Sequence, residues 1–193
     1  ARMQWERLRR AYIALGHQVD IVDPVAGLPD MVFAANAGLV IDGRVLAARF
    51  RHDERRGEEL PYRSWFGDHG FTDVQVARYV NEGEGDFLVA GDVILAGTGF
   101  RTAREAHAEV ADFFGRPVVS LDLSDPRYYH LDTALCVLDD SHIAYYPRAF
   151  TAASRGLLEE LYPDAIHATG ADAAVLGPNA TSDGRHIVRP AGA

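Results

Sequence analysis

The sequence holds a single cysteine, Cys136, so it can form no internal disulfide, which points to a reducing cytoplasm. No apolar run approaches the roughly 18 residues that a membrane-spanning helix needs, and residues 2–10 read as an amphipathic helix, not a secretory leader. An excess of positive charge is also missing. The chain carries 19 Lys and Arg against 28 Asp and Glu, a formal net charge of −9, which argues against a nucleic-acid partner or an anionic membrane surface. That balance is compatible with a cationic small-molecule substrate. No linker rich in Pro, Ser or Gly divides the 193 residues, so one domain is expected over 1–193. There is no phosphate-binding loop, because Gly97-Thr98-Gly99 lacks a third glycine and the Lys-Ser/Thr ending. Nor is there a His pair at tight metal-ligand spacing, so neither a metal nor another cofactor is expected.

What the chain does have is a repeat. Three times a short apolar strand, a tight polar turn and a second apolar strand follow one another: Gly38–Ile41 and Arg44–Ala47 about Asp42-Gly43, Phe87–Val89 and Val93–Ala96 about Ala90-Gly91-Asp92, and Ala134–Leu138 and His142–Tyr145 about Asp139-Asp140-Ser141. A fourth copy begins at Asn179-Ala180-Thr181, turns at Asp183-Gly184 and continues through Arg185–Val188. Each complete hairpin is followed by a helical stretch, predicted at 53–66 despite Gly57 and Pro61, at 102–114 and at 152–162. In the second of these, Thr102 and Glu105 have the spacing of a capping box, and Gly115 ends the helix. Strands at Asp73–Tyr79, Val118–Leu123 and Ala165–Ala168 then complete a ββαβ unit. The chain opens inside a helix and closes just after a strand, so both ends read as cut.

One polar residue stands at the head of each hairpin: Asn36, Asp86, Asp132 and Asn179, separated by 50, 46 and 47 positions. Asx residues cap turns everywhere, and that plainer explanation suffices for any one of them. Four in register, in units arranged about a pseudo-symmetry axis, point to a shared central site.

The segments at those heads are Leu28-Pro29-Asp30-Met31-Val32-Phe33-Ala34-Ala35-Asn36-Ala37-Gly38, Glu82-Gly83-Glu84-Gly85-Asp86 and Tyr129-His130-Leu131-Asp132-Thr133-Ala134-Leu135. In that order they resemble three successive signatures of the guanidino-group-modifying enzymes, the pentein superfamily, which includes arginine deiminases, dimethylarginine dimethylaminohydrolases, amidinotransferases and arginine dihydrolases. The resemblance implies an α/β fold, a propeller of five ββαβ blades, of which this chain would hold roughly three and a half. It implies a small-molecule substrate, arginine or a methylarginine, and is compatible with a homo-oligomer.

It also implies a mechanism. The family attacks the guanidinium carbon with a cysteine thiolate, expels an amine and hydrolyses the resulting thiouronium adduct. Carried over to this chain, His130 would be the general acid and base, and Glu82 would orient the histidine and substrate, with Glu84 an alternative. Asp86 would shape the Gly-flanked turn and join the catalytic centre. Asn36 and Asp132 would contact the guanidinium, Arg101 the α-carboxylate and Asp30 the α-amino group, while Phe33 would pack on the alkyl chain. Arg55 and Arg56 are further candidates for the carboxylate, although two arginines in a helical stretch usually belong to a solvated face. The family's nucleophile comes from its last blade and is expected beyond Ala193. Cys136 lies inside an alternating strand, where a small buried cysteine packs as an apolar residue, so the 193 residues alone are expected to be inactive. Pro-Asp-Met-Val-Phe with Ala-Asn most resembles the dihydrolase type, which takes arginine to ornithine, ammonia and carbon dioxide. Dimethylarginine hydrolysis to citrulline and dimethylamine is one alternative, and an inactive arginine-binding fragment is another.

Overall fold

The computed structural model describes residues 2–192. After an N-terminal helix, α1 (Arg2–Ala14), the ββαβ unit recurs three times and then begins a fourth time. The first unit comprises β1 (Gly38–Ile41), β2 (Arg44–Ala47), α2 (Asp53–Arg56), α3 (Glu59–Asp68) and β3 (Asp73–Val76). The second comprises β4 (Phe87–Ala90), β5 (Val93–Thr98), α4 (Glu105–Phe114) and β6 (Val118–Asp122). The third comprises β7 (Leu135–Val137), β8 (Ile143–Tyr145), α5 (Ala152–Leu161) and β9 (Ile166–His167). A short helix, α6 (Gly170–Ala174), leads into the last hairpin, β10 (Thr181–Ser182) and β11 (Ile187–Val188). In each complete unit the hairpin is antiparallel, and its second strand pairs parallel with the strand that returns after the helix. These are the three and a half ββαβ units that the repeat predicts.

Local chemistry sets most of the boundaries. The first hairpin turns on Asp42 and Gly43, both at positive φ, the two-residue turn whose twist suits an antiparallel pair. Gly115 ends α4 in the left-handed conformation, as expected. Thr151 caps α5 through its side chain, which accepts a hydrogen bond from the Ser154 amide. The helix predicted at 53–66 is two helices, because Glu58 is drawn into the interior and the chain breaks around Gly57. Pro61 falls in the first turn of α3, where its missing amide has no intrahelical partner to lose. Sequence reading missed α6, whose Thr169 and Asp172 form a reciprocal capping box.

The core lies between successive sheets. Leu95 and Leu121 of the second unit pack with Leu135, Ile143 and Tyr145 of the third and with Leu158 of α5, all fully or almost fully buried. Each such Leu or Ile contributes about 1.5–3 kcal/mol through burial, so neighbouring units hold one another. By contrast, α1 buries none of its residues. Among the described residues no helix is long and apolar enough to cross a membrane.

Candidate active site

The first strands of the four units surround one cavity of about 880 Å³. Val40 of β1, Val89 of β4, Cys136 of β7 and Thr181 of β10 all line it. Each complete unit enters its first strand through a single 3-10 turn, Ala34–Ala37, Gly83–Gly85 or Leu131–Thr133. Asn36 and Asp132 lie within these turns, Asp86 follows one directly, and the Asn179 amide donates to the Asp132 carbonyl at 3.2 Å. The in-register polar heads therefore gather around one axis.

Glu82 is the hub, with its side chain fully buried. Its Oε2 lies 3.0 Å from a terminal nitrogen of Arg101, 3.2 Å from Nε2 of His130 and 4.0 Å from a terminal nitrogen of Arg55. Its Oε1 accepts from the Arg51 amide at 3.4 Å. On the other side of the imidazole, Asp86 Oδ2 is 3.2 Å from His130 Nδ1, an ion-pair contact outside hydrogen-bond geometry. Asp86 is fixed by two further donors, the Thr102 hydroxyl at 2.7 Å and the Leu131 amide at 3.0 Å.

This arrangement decides the charges. Burial alone would discharge His130, but the carboxylates of Asp86 and Glu82 outweigh it and take its pKa up to about 9. Glu82 moves the opposite way: burial resists ionisation, yet His130, Arg101 and the Arg51 amide hold it below the usual carboxylate range. For Asp132, His130, the Asn179 side chain and the Thr133 amide pull the same way but do not outweigh burial. Burial pushes it up to about 7, and its Oδ1 has no hydrogen-bond partner. A buried acceptor left open beside a protonated histidine suits a ligand that brings N–H donors.

The sequence therefore brings Glu82, Asp86, His130 and Arg101 into direct contact, with Asn36 joined through its amide, which donates to the Glu82 carbonyl at 3.3 Å. Asp30 and Phe33 line the same cavity but stand apart from this cluster, and Phe33 is exposed. Glu84 lines the cavity, whereas the fully buried Glu82 contacts His130 and Arg101. Glu84 turns toward β1, accepts from the Val40 amide at 3.4 Å and has its pKa raised by burial. The Cys136 thiol, pushed up to about 11 by burial, is directed at the Ala180 carbonyl.

Two expectations need correcting. Arg55 is not on a solvated face. It is buried, doubly bonded to Glu58 at 3.0 and 2.8 Å, donates to Asn36 Oδ1 at 2.7 Å and lies over the Phe50 ring; Arg56 is the exposed one. Thr102 caps no helix. α4 starts at Glu105, and the Thr102 hydroxyl instead bridges the Glu82 amide and Asp86. An Arg-x-x-Glu pair marks Arg55 only weakly, and nothing local marks Thr102. Among the described residues no three His, Cys, Asp or Glu side chains are arranged to hold a metal ion.

Gly83 fastens the first two units together at this site. It sits at φ +53°, and a Cβ there would lie 2.6 Å from both the Gly38 nitrogen and the Gly38 oxygen. Those atoms are backbone and cannot rotate away. Gly83→Ala is expected to cost about 2–4 kcal/mol, read as a shift in the urea midpoint at constant slope. A midpoint unchanged within error would show that the turn relaxes freely.

No protein-family model matches the chain. The "N(G),N(G)-dimethylarginine dimethylaminohydrolase" of Mycobacterium tuberculosis is 53% identical over 193 residues, covering 100% of this chain and 64% of that protein. The chain therefore spans less than two thirds of that relative's length. The "Bifunctional arginine dihydrolase/ornithine cyclodeaminase ArgZ" of Synechocystis is 43% identical over 163 residues, 83% of this chain and 23% of that protein. Among solved structures, the N-terminal domain of ArgZ, a cyanobacterial arginine dihydrolase, in a cysteine-to-serine mutant bound to substrate, superposes with a TM-score of 0.91 at 40% identity. That match covers 96% of this chain and 70% of the other.

Proposed function

The chain belongs to the guanidino-group-modifying enzymes of the pentein superfamily, and from that membership we propose that the whole protein hydrolyses the guanidino group of arginine. The observation that carries the reading is the imidazole of His130 set between the buried carboxylates Glu82 and Asp86, next to the open acceptor of Asp132. In this reading Glu82 and Asp132 receive the guanidinium N–H groups, and Arg101 receives the α-carboxylate. Asp30 and Phe33 serve the α-amino group and the alkyl chain. A thiolate supplied from outside these residues attacks the guanidinium carbon, forming a C–S bond. The C–N bond breaks and the departing amine takes the proton of His130. The neutral imidazole then removes a proton from water, which adds to the adduct carbon, and C–S cleavage releases the product and restores the thiolate.

Asn36 supports the dihydrolase form of this reaction, in which citrulline stays for a second hydrolysis to ornithine, ammonia and carbon dioxide. Its amide adds no negative charge to the pocket, and Arg55 already holds its oxygen. A pocket with fewer anions favours the cation less strongly over neutral citrulline. A second reading, dimethylarginine hydrolysis, draws its support from the Mycobacterium tuberculosis relative. Mass spectrometry after incubating the protein with L-arginine, and separately with dimethylarginine, tests both. Ornithine with ammonia is the expected result. Citrulline with dimethylamine transfers the assignment to the second reading, and two unchanged substrates sink both.

A further inference from the structure

Three cations crowd the single Glu82 carboxylate, and they are not equally committed to it. Arg55 has Glu58 as a second partner, and His130 has Asp86. Arg101 has Glu82 as its one carboxylate partner among the described residues, and its side chain is the most exposed of the three. A guanidinium entering the cavity toward Glu82 therefore meets a guanidinium already in place. Two like charges repel at one buried anion, so Arg101 is the group that must yield.

What Arg101 rests on is Tyr129. The guanidinium carbon lies 4.6 Å from the centre of the Tyr129 ring, in cation–π contact. The ring lines the cavity, leans on the His130 imidazole at 5.1 Å and is 42% exposed, so it is not part of the core. At the backbone, the Arg101 carbonyl is anchored by Nε of Arg51 at 2.9 Å, leaving the side chain as the part free to turn. We infer that Tyr129 is a positioning residue for Arg101: its ring face holds the guanidinium while Arg101 exchanges Glu82 for the carboxylate of a bound amino acid. An aromatic face suits this task because it attracts the cation without fixing its hydrogen-bond partner.

The inference rests on the proposed function and is tested through the ligand's carboxylate. Agmatine keeps the alkyl guanidinium of arginine and lacks that carboxylate. In the full-length protein, Tyr129→Leu is expected to raise KM for L-arginine roughly three- to thirty-fold, as loss of a cation–π contact implies. It should leave kcat and the inhibition constant of agmatine within about two-fold, and Tyr129→Phe should behave like the wild type. Equal losses for both ligands would reduce the ring to a structural role and overturn the inference. So would an unchanged KM, or a Phe variant as impaired as the Leu variant. If the wild-type protein hydrolyses no guanidino substrate, the functional reading fails by itself. Calorimetric affinities of the same three proteins for arginine and agmatine then decide the inference by the same comparison.

Discussion

Replacing His130 by asparagine is expected to lower kcat/KM for the guanidino substrate by about 10²–10⁴, the range that a positioned general acid and base supplies. The loss should fall mainly on kcat, because the imidazole acts on the leaving amine and on water, while binding rests on Glu82, Asp132 and Arg101. The charge state gives the prediction a second edge. With its pKa taken up to about 9, His130 carries its proton through neutral pH and is ready to act as an acid. The limb of the wild-type kcat/KM profile that it controls should therefore fall as pH rises through about 9, well above the ordinary histidine range near 6.5. Stability follows the same proton. A histidine whose folded pKa is raised stabilises the fold fully below its unfolded pKa, and that contribution is lost as pH climbs from about 6.5 through about 9. The shift corresponds to on the order of 3 kcal/mol, and His130→Asn should flatten this part of the stability profile. A variant that keeps full kcat, or an unmoved alkaline limb, would remove His130 from the chemistry.

His130 stood out only through the resemblance of Tyr129–Leu135 to a family signature, whereas the polar heads belong to a repeated pattern. Alternating strands about Asp-Gly and Asx turns are local signals, and they marked every hairpin. The register of the hairpins then located Asn36, Asp86, Asp132 and Asn179 before any contact was known. The failures share a different cause. Thr102 satisfies a helix-capping spacing, but one hydroxyl cannot serve both a local amide and the site, and Asp86 with the Glu82 amide wins. Such tertiary competition leaves no trace in a window of ten residues. The five residues of α6 are too few to show helical periodicity, although its capping box was present in the sequence. A Cβ at Gly57 would meet the Leu28 side chain at 2.9 Å, so a residue far away in sequence limits what can stand between α2 and α3. Which face of 53–66 is buried is likewise decided by Leu28, Phe50 and Asn36, all outside the segment.

Arg55→Met is expected to destabilise the protein by about 3–5 kcal/mol, the cost of leaving a buried ion without its partner. Glu58, almost completely buried, would lose both of its charge-assisted hydrogen bonds, and Asn36 Oδ1 would lose its donor. Arg55→Lys should recover only part of the loss. A lysine restores the charge but cannot span two carboxylate oxygens and the Asn36 amide together, nor lie flat on Phe50. Replacing both ions, Arg55→Met with Glu58→Leu, should cost less than Arg55→Met alone, because the stranded anion is then gone. Urea titration of the wild type, Arg55→Met, Glu58→Leu and the double variant measures the cycle, and a cost below about 1 kcal/mol for the single Met variant would mean that water or a neighbour replaces Arg55. The effect should reach activity as well, because Arg55 holds Asn36, and Asn36 bonds the carbonyl of Glu82. This separates the two residues. His130→Asn should remove turnover and lose its share of stability only below about pH 9, whereas Arg55→Met should lose stability and turnover together on both sides of that pH, because one buried guanidinium supports both the first unit and the carboxylate on which the site is built.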